Sequence, residues 1–312
     1  MTQPDWTIRP ATAADKHAVL ALINAVQPHI PWSPEQYDWQ LTRGPAGPAE
    51  VRVVECDNIL VSLYVGTRKR LWVNGEIQPC IMVQDVLTHP SYRGKGMLNA
   101  LATSFLSEMR ERNECGYTFP NKMSENSFRR SGWSELMQVP ALECNIITQQ
   151  AAPALAIEVT VFDPLVDTIW HDAGISVGVV RNAEFLNWRY DRPGNVYRKY
   201  VISDVGFLVL KFYDRSTQKV VHICDLVLRE HERGLCKSIL NSVKSLAAQS
   251  GANLLTCWVP PGHPYRHVFE DVGFTRDIKN DRFIFSTGPA KLLPILTDAS
   301  NWHLSQGDSD VY

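Results

Sequence analysis

The chain has 312 residues, a formal net charge of −2, 45% apolar residues and 21% charged ones. That length exceeds one ordinary core and points to two domains, and the apolar share excludes a disordered chain. A near-neutral charge with no long basic run excludes tight non-specific binding to nucleic acid or to an anionic membrane surface. The predicted elements alternate between β and α. Residues 6–9 form a short strand, and 13–26 carry Val19, Leu20, Leu22, Ile23 and Val26 at helical spacing. Strands follow at 51–55 and 59–68, turned by Asp57-Asn58. A further segment, 70–76, turns at Asn74-Gly75 and leads into a strand at 81–88. After two glycines, Met97, Leu98, Leu101, Phe105 and Met109 trace one stripe of a helix, and 115–119 is strand-like up to Pro120. The text from 147 to 156 is small and polar with a proline, and predicts a joint. Beyond it the theme returns, with strands at 201–213 and 220–228, a helix at 235–248 and a strand at 253–259. The tail from Gly288 is proline-spotted, ends GDSDVY and predicts no firm structure.

The return can be tested by spacing. DVLTHPSYRGKGML at 85–98 and DLVLREHERGLCKS at 225–238 each place an Asp nine residues before an Arg-Gly glycine. Nearly equal intervals separate Asp85 from Gly132 and Asp225 from Gly273, and a Phe, Phe128 or Phe269, stands four residues before each closing glycine. Strand, Arg-Gly turn, helix and strand at matched spacing indicate two copies of one domain. Their boundaries are 1–146, a linker at 147–156, a second copy at 157–290, and a tail at 291–312.

Glycines at 94 and 96 between a strand and a helix let the backbone approach a ligand and aim N–H groups at it. The helix that follows adds unpaired amides and the positive end of its dipole, which suits a pyrophosphate. Arg93 and Lys95 add charge at the rim. A plain strand-to-helix turn is the alternative. Neither the dinucleotide nor the P-loop spacing is met.

HPSYRGKGML after a strand ending DVLT resembles the acetyl-CoA-binding motif of the GNAT superfamily of N-acetyltransferases, written R/Q-x-x-G-x-G/A. Arg93 and Gly96 match, while Leu98 replaces the final small residue. The family's later motif, Asn then Tyr seven on and Gly-Phe four beyond, is met by Asn121, Phe128 and Gly132-Trp133, with Phe in place of Tyr. The resemblance covers about 5–145 well and 155–290 as a diverged copy. It implies an α/β fold with a mixed sheet, in two tandem GNAT-like domains, the second diverged. FPNKMSENSFRRSGW, FLNWRYDRP and WHLSQGDSDVY look like a tandem bacterial subgroup associated with surface-sugar biosynthesis.

The resemblance also implies site roles. Val86, Leu87 and Thr88 would offer backbone groups to the pantetheine arm, and Arg93, Gly94, Lys95, Gly96, Met97 and Leu98 would cradle the pyrophosphate. Asn121 and Phe128 would flank the cofactor arm. The acceptor amine would attack the thioester directly, and a base must first take its proton. Asp85, in an apolar strand, is the candidate base, although Asp225 at the matching place suggests a structural role; His89 is the other candidate. Phe128 cannot protonate the departing thiolate as the family's Tyr does, so Ser124, Ser127 or water would serve. In the second copy a side chain at Cys236 obstructs the amide cradle, which leaves that copy the work of packing and shaping the acceptor pocket. For the acceptor, Trp32 and Tyr37 in the aromatic loop 28–39 could stack on a ring, or pack in a satellite core. Arg189 could grip an anionic group or pair on its helix.

The expected function is acetyl-CoA-dependent acetylation of a small amine, with an amino sugar as the suggested class. The alternatives are an aminoacyl transferase of the peptidoglycan-bridge type and a silent acyl-CoA sensor. No metal is expected: His263 and His267 stand four apart across Pro264 without a carboxylate–histidine constellation. Seven scattered cysteines without a CxxC, and a start without a basic and apolar leader, suggest a reducing, cytoplasmic setting. A monomer or homodimer is expected, without nucleic acid or membrane partners.

Overall fold

The computed structural model describes residues 5–146, 156–215 and 218–312, with only the backbone at 215 and 278–282. The expected linker, apart from Ala156, lies outside the described residues. The chain divides into two compact units. The first comprises Met1–Arg70, Gln78–Leu136 and Phe283–Thr297, and the second Leu71–Ile77, Met137–Arg282 and Asp298–Tyr312.

In the first unit, β1 (Thr7–Pro10) pairs antiparallel with β2 (Glu50–Cys56), and β2 with β3 (Ile59–Val73). Next to β3 runs β4 (Glu76–Thr88), and β5 (Cys115–Thr118) lies parallel to β4. The strand at 283–287 pairs antiparallel with β5. Helices α1 (Lys16–Val26) and α2 (Pro34–Tyr37) cover one face, while α3 (Met97–Glu111) and α4 (Glu125–Ser131) cover the other. Strand alternation sorts the side chains. Val54, Tyr64, Ile81 and Val83 pack with Leu101, Phe105 and Phe128, whereas Val53, Leu63 and Val65 pack with Val19, Ile23 and Trp32. The sequence predicts a break between 68 and 70. Instead β3 runs unbroken, because Lys69, Leu71 and Val73 alternate inward with half-buried Arg70 and Trp72 between them.

One irregularity positions the site. Ile81 and Val83 face α3, but the next residue to do so is Val86, three positions on instead of two, while Leu87 joins the α1 cluster. An extra residue therefore sits at Asp85, whose φ is +48°. A bulge of this kind inverts the alternation and re-aims the strand's end. Asp tolerates the left-handed region better than most residues.

In the second unit Ala141 to Asn145 of β6 (Ser134–Asn145) pair antiparallel with β12 (Leu254–Trp258), and β12 runs parallel to β11 (Gln218–Leu228). Antiparallel strands β10 (Gly206–Arg215), β9 (Tyr197–Ile202) and β7 (Ile157–Val159) complete the order, and β8 (Val177–Val179) pairs with the last residues of β3. Helices α5 (Leu165–His171), α6 (Ala183–Arg189), α7 (Cys236–Gln249) and α8 (Arg266–Asp271) belong to this unit, and β13 (Thr275–Thr287) begins here. The succession β9, β10, β11, α7, β12, α8, β13 repeats β2, β3, β4, α3, β5, α4, β6. The bulge repeats too. Val221 and Ile223, then Leu226 and Leu228, enter the same core, and the β10–β11 register slips beside Cys224-Asp225. The single strand expected at 201–213 is a hairpin, turned where Ser203 takes φ +46°.

The tail is ordered, contrary to the sequence expectation. Leu293–Leu296 is a short helix, α9, of the first unit. Trp302 through Ser309 are buried in the second. Arg181, fully buried, donates to Asp308 at 2.7 Å and Asp225 at 3.2 Å, and Ser305 donates to Asp225 at 2.6 Å. Tyr190 also donates to Asp225. A Cβ at Gly307 would fall 2.2 Å from that tyrosine's oxygen, so only glycine lets the tail come so close. The polar look of GDSDVY concealed this burial, because its contacts are charged and hydrogen-bonded rather than apolar. Burial alone would raise the Asp225 carboxyl, but Arg181, Ser305 and Tyr190 hold it below its ordinary value. Its stabilising effect is therefore present above the ordinary carboxylate range and lost as acid protonates it. Asp225→Ala strands part of a buried charge network and is expected to cost about 3–5 kcal/mol, read as a lower urea midpoint at neutral pH.

Candidate active site

Pairing between β4 and β5 ends at Val83 and Thr118, yet β4 continues to Thr88. In the gap beyond lies a cavity of about 490 Å³. Val86, Leu87 and Thr88 line it from β4, Arg93 through Leu98 from the turn and helix start, and Asn121 and Ser124 from the segment after β5. Ser62 holds the strand's end in place, donating to the Leu87 carbonyl at 2.9 Å and bonding the Thr88 hydroxyl at 2.8 Å.

The turn is built from the backbone outward. Gly94 and Gly96 take φ of +79° and +77°, and a Cβ at either would meet nothing within 4 Å. Space does not demand glycine there; left-handed backbone does. Gly96 is the N-cap of α3 and has no side chain to satisfy the first amides. Those N–H groups have no partner within their own helix, and α3 contributes the positive end of its dipole. Buried Met97, Leu101, Phe105 and Met109 anchor the helix beneath. Arg93 folds back to the Thr88 carbonyl at 3.2 Å, and Lys95 lies over the Tyr92 ring. Such a mouth, with a cavity of ordinary ligand size behind it, fits an elongated anion.

Several expected residues lie elsewhere. Phe128 does not line the cavity. Its ring is 2% exposed and packs edge-on to Trp133 at 5.6 Å, deep among core side chains. Ser127 does not line it either; its Oγ is buried without a hydrogen bond. Ser124 does line it, with its hydroxyl near the Asn121 carbonyl and Oδ1. Asn121 Oδ1 accepts from the Met123 and Ser124 amides at 3.0 Å, so that amide group also shapes the loop before α4. Asp85 stands one residue before the lining, half-buried, and its Oδ2 accepts from Gln40 at 2.9 Å. Gln40 in turn accepts from Gln36 at 2.8 Å. His89 accepts from the Ser91 amide and tops the short turn after β4.

The acceptor candidates are corrected in the same way. The aromatic loop is partly helical: Ser33 caps α2 with Pro34 in its first turn. Trp32 and Tyr37 are each 7% exposed and fill the α1 core cluster, so neither offers a face for stacking. Arg189 is buried and donates to the carbonyls of Gly307, Ser309 and Tyr312, which fastens the tail. Sequence reasoning missed Val26, Gln27, Tyr92 and Met123 in the lining and the two glutamines behind Asp85. Tyr92 and Met123 lay inside the quoted motifs. Gln36 and Gln40, four apart before a strand, were the available signal for the others.

The model of a GNAT acetyltransferase domain matches residues 7–136. Residues 7–136 form a GNAT acetyltransferase domain. The fold extends beyond that match. A GCN5-related N-acetyltransferase from Anabaena variabilis has a TM-score of 0.69 at 14% identity, over 90% of this chain and 72% of its own. A similar enzyme from Kribbella flavida has 0.64 at 14%, over 90% and 70%. A conserved Enterococcus faecalis protein has 0.71 at 12%, over 91% and 72%. No curated protein matches the chain. No group of three or more His, Cys, Asp and Glu able to hold a metal occurs among the described residues. No described helix is long and apolar enough to cross a membrane. All seven cysteines are buried and free.

Proposed function

We propose that this acyltransferase moves an acetyl group from acetyl-CoA to a small amine, an amino sugar being the class its sequence resemblance suggests. The observation that carries the reading is the cavity at the parting of β4 and β5, which ends on the left-handed Gly94–Gly96 turn at the head of α3. The amides of 94–98 would hold the pyrophosphate, and Val86 to Thr88 the pantetheine arm. Acetyl-CoA supplies the activated thioester. Asp85 takes the proton of the attacking ammonium through water, and Gln40 orients its carboxylate. Ser124, which unlike Ser127 lines the cavity, hydrogen-bonds the departing sulfur, a task that buried Phe128 cannot perform.

The second unit is read as a diverged copy that binds no cofactor. Where the first copy has its left-handed glycines, residues 230–235 form a continuous 3-10 turn into α7, and Cys236 is fully buried. Calorimetry is expected to give one acetyl-CoA site per chain, and an amine panel to show turnover well above the uncatalysed rate. Two sites would overturn the assignment to one unit. Binding with no acetylation of any amine would leave the sensor reading standing instead.

A further inference from the structure

The groups around Asp85 show from which side an acceptor would enter. The Asp85 carboxylate accepts from Gln40, in the helical turn directly after α2, so it faces the α1–α2 side of the sheet. The glycine turn and α3, which the coenzyme would use, belong to the other side. An amine that meets Asp85 through water while attacking the thioester therefore comes along the α1–α2 side. From that side the cavity wall contains Val26 and Gln27, the last residue of α1 and its C-cap. Val26 packs on the same cluster as Leu87, which fixes the end of α1 beside the end of β4. We propose that Gln27 selects the acceptor by bonding a hydroxyl beside the reacting amine, so that the substrate is a vicinal amino alcohol without further charge. This inference rests on the acyl-transfer reading of the cavity.

Both backbone groups of Gln27 are already used. Its N–H donates to the Ile23 carbonyl at 2.8 Å, and its carbonyl accepts from the Ile30 amide at 3.1 Å. What it offers the cavity is its half-buried side chain, which bonds to nothing among the described residues. The other polar side chains of the wall are engaged or lie at the coenzyme's end. Thr88 is tied to Ser62, Ser124 to Asn121, and Asn121 to the Met123 and Ser124 amides. Tyr92, Arg93 and Lys95 belong to the glycine turn, where the lysine lies over the tyrosine ring. Arg93 and Lys95 are also the only ionised side chains among the described lining residues, so charge in the wall is confined to that turn. A carboxylate or phosphate beside the acceptor's amine would face Val26, Leu87 and Gln27 with no cation to pair it, and a second ammonium would find no anion but the base itself. A hydroxyl needs neither. It donates to the carboxamide oxygen or accepts from the carboxamide nitrogen, and Gln27 offers both. Such a group also rejects an analogue that lacks the hydroxyl, because it is then desolvated without a bond.

The test compares steady-state rates of the full chain, with acetyl-CoA, on two amines of one ring, trans-2-aminocyclohexanol and cyclohexylamine, at matched free-amine concentration. The amino alcohol is expected to have the higher kcat/KM by about tenfold, as one neutral hydrogen bond supplies. Gln27→Leu should bring that ratio to about one, chiefly by raising KM for the amino alcohol. Gln27→Glu keeps an acceptor oxygen but adds charge, and should favour trans-1,2-diaminocyclohexane over the amino alcohol. A preference that survives Gln27→Leu, or a wild type that does not distinguish the two amines, would overturn this inference and leave acyl transfer standing. No turnover of either amine would overturn both together.

Discussion

Asp85→Asn is expected to lower acetyl transfer by about 10²–10⁴-fold, the usual worth of general-base catalysis, with acetyl-CoA affinity nearly unchanged. The local structure makes this a clean substitution. Asn accepts the left-handed backbone that Asp85 holds at φ +48°, so the bulge survives. Its amide oxygen can still accept from Gln40, so the link through Gln40 to Gln36 of α2 survives as well. What disappears is basicity. The competing account is structural, and the second unit gives it force: Asp225 occupies the matching bulge and serves a buried ion-pair network. The two accounts separate on stability. A base role predicts a turnover loss with the melting temperature held, and a rate that no longer rises with the ionisation of a group at residue 85. A structural role predicts a lower melting temperature and turnover that recovers at reduced temperature.

The contrast between Asp85 and Asp225 also shows what could be read from the sequence. Matched spacing revealed the repeat, because strand, turn and helix each need a set number of residues and leave that count behind. The left-handed turn was legible because Gly94 and Gly96 are the residues such backbone requires. The bulges were not, since one inserted residue in an apolar strand changes parity without changing composition. The fates of Trp32, Tyr37 and Arg189 were hidden for a different reason. An aromatic ring or a guanidinium serves a core or a ligand equally well, and only the placement of α1 and of the C-terminal segment decides between them. Phe128 was read through its motif as a cofactor neighbour, but without a hydroxyl its ring has no reason to leave the apolar contacts of Trp133 and Tyr64.

Gly96→Glu is expected to abolish acetyl-CoA binding, with affinity falling by at least about 10³-fold, and the protein should remain folded. Three effects act together. A non-glycine residue at φ +77° carries strain of about 1–3 kcal/mol, although open space around the position spares it any clash. A carboxylate at the N-cap of α3 sits favourably on the helix's positive end, which protects the fold while occupying the field that the pyrophosphate would use. Its charge then repels each incoming phosphate at close range. Gly96→Ala separates these contributions, because it brings the same backbone strain without charge or reach. Alanine should weaken binding by about tenfold and glutamate far more, as measured by calorimetry at fixed low salt, with the gap narrowing as salt screens the repulsion. Equal losses in the two variants would mean that strain alone is at work and that the turn's amides do not face the phosphates. Unchanged affinity in Gly96→Glu would remove the cofactor from this turn altogether. The charge-dependent part is therefore the decisive quantity, since only a ligand carrying negative charge at the head of α3 can produce it.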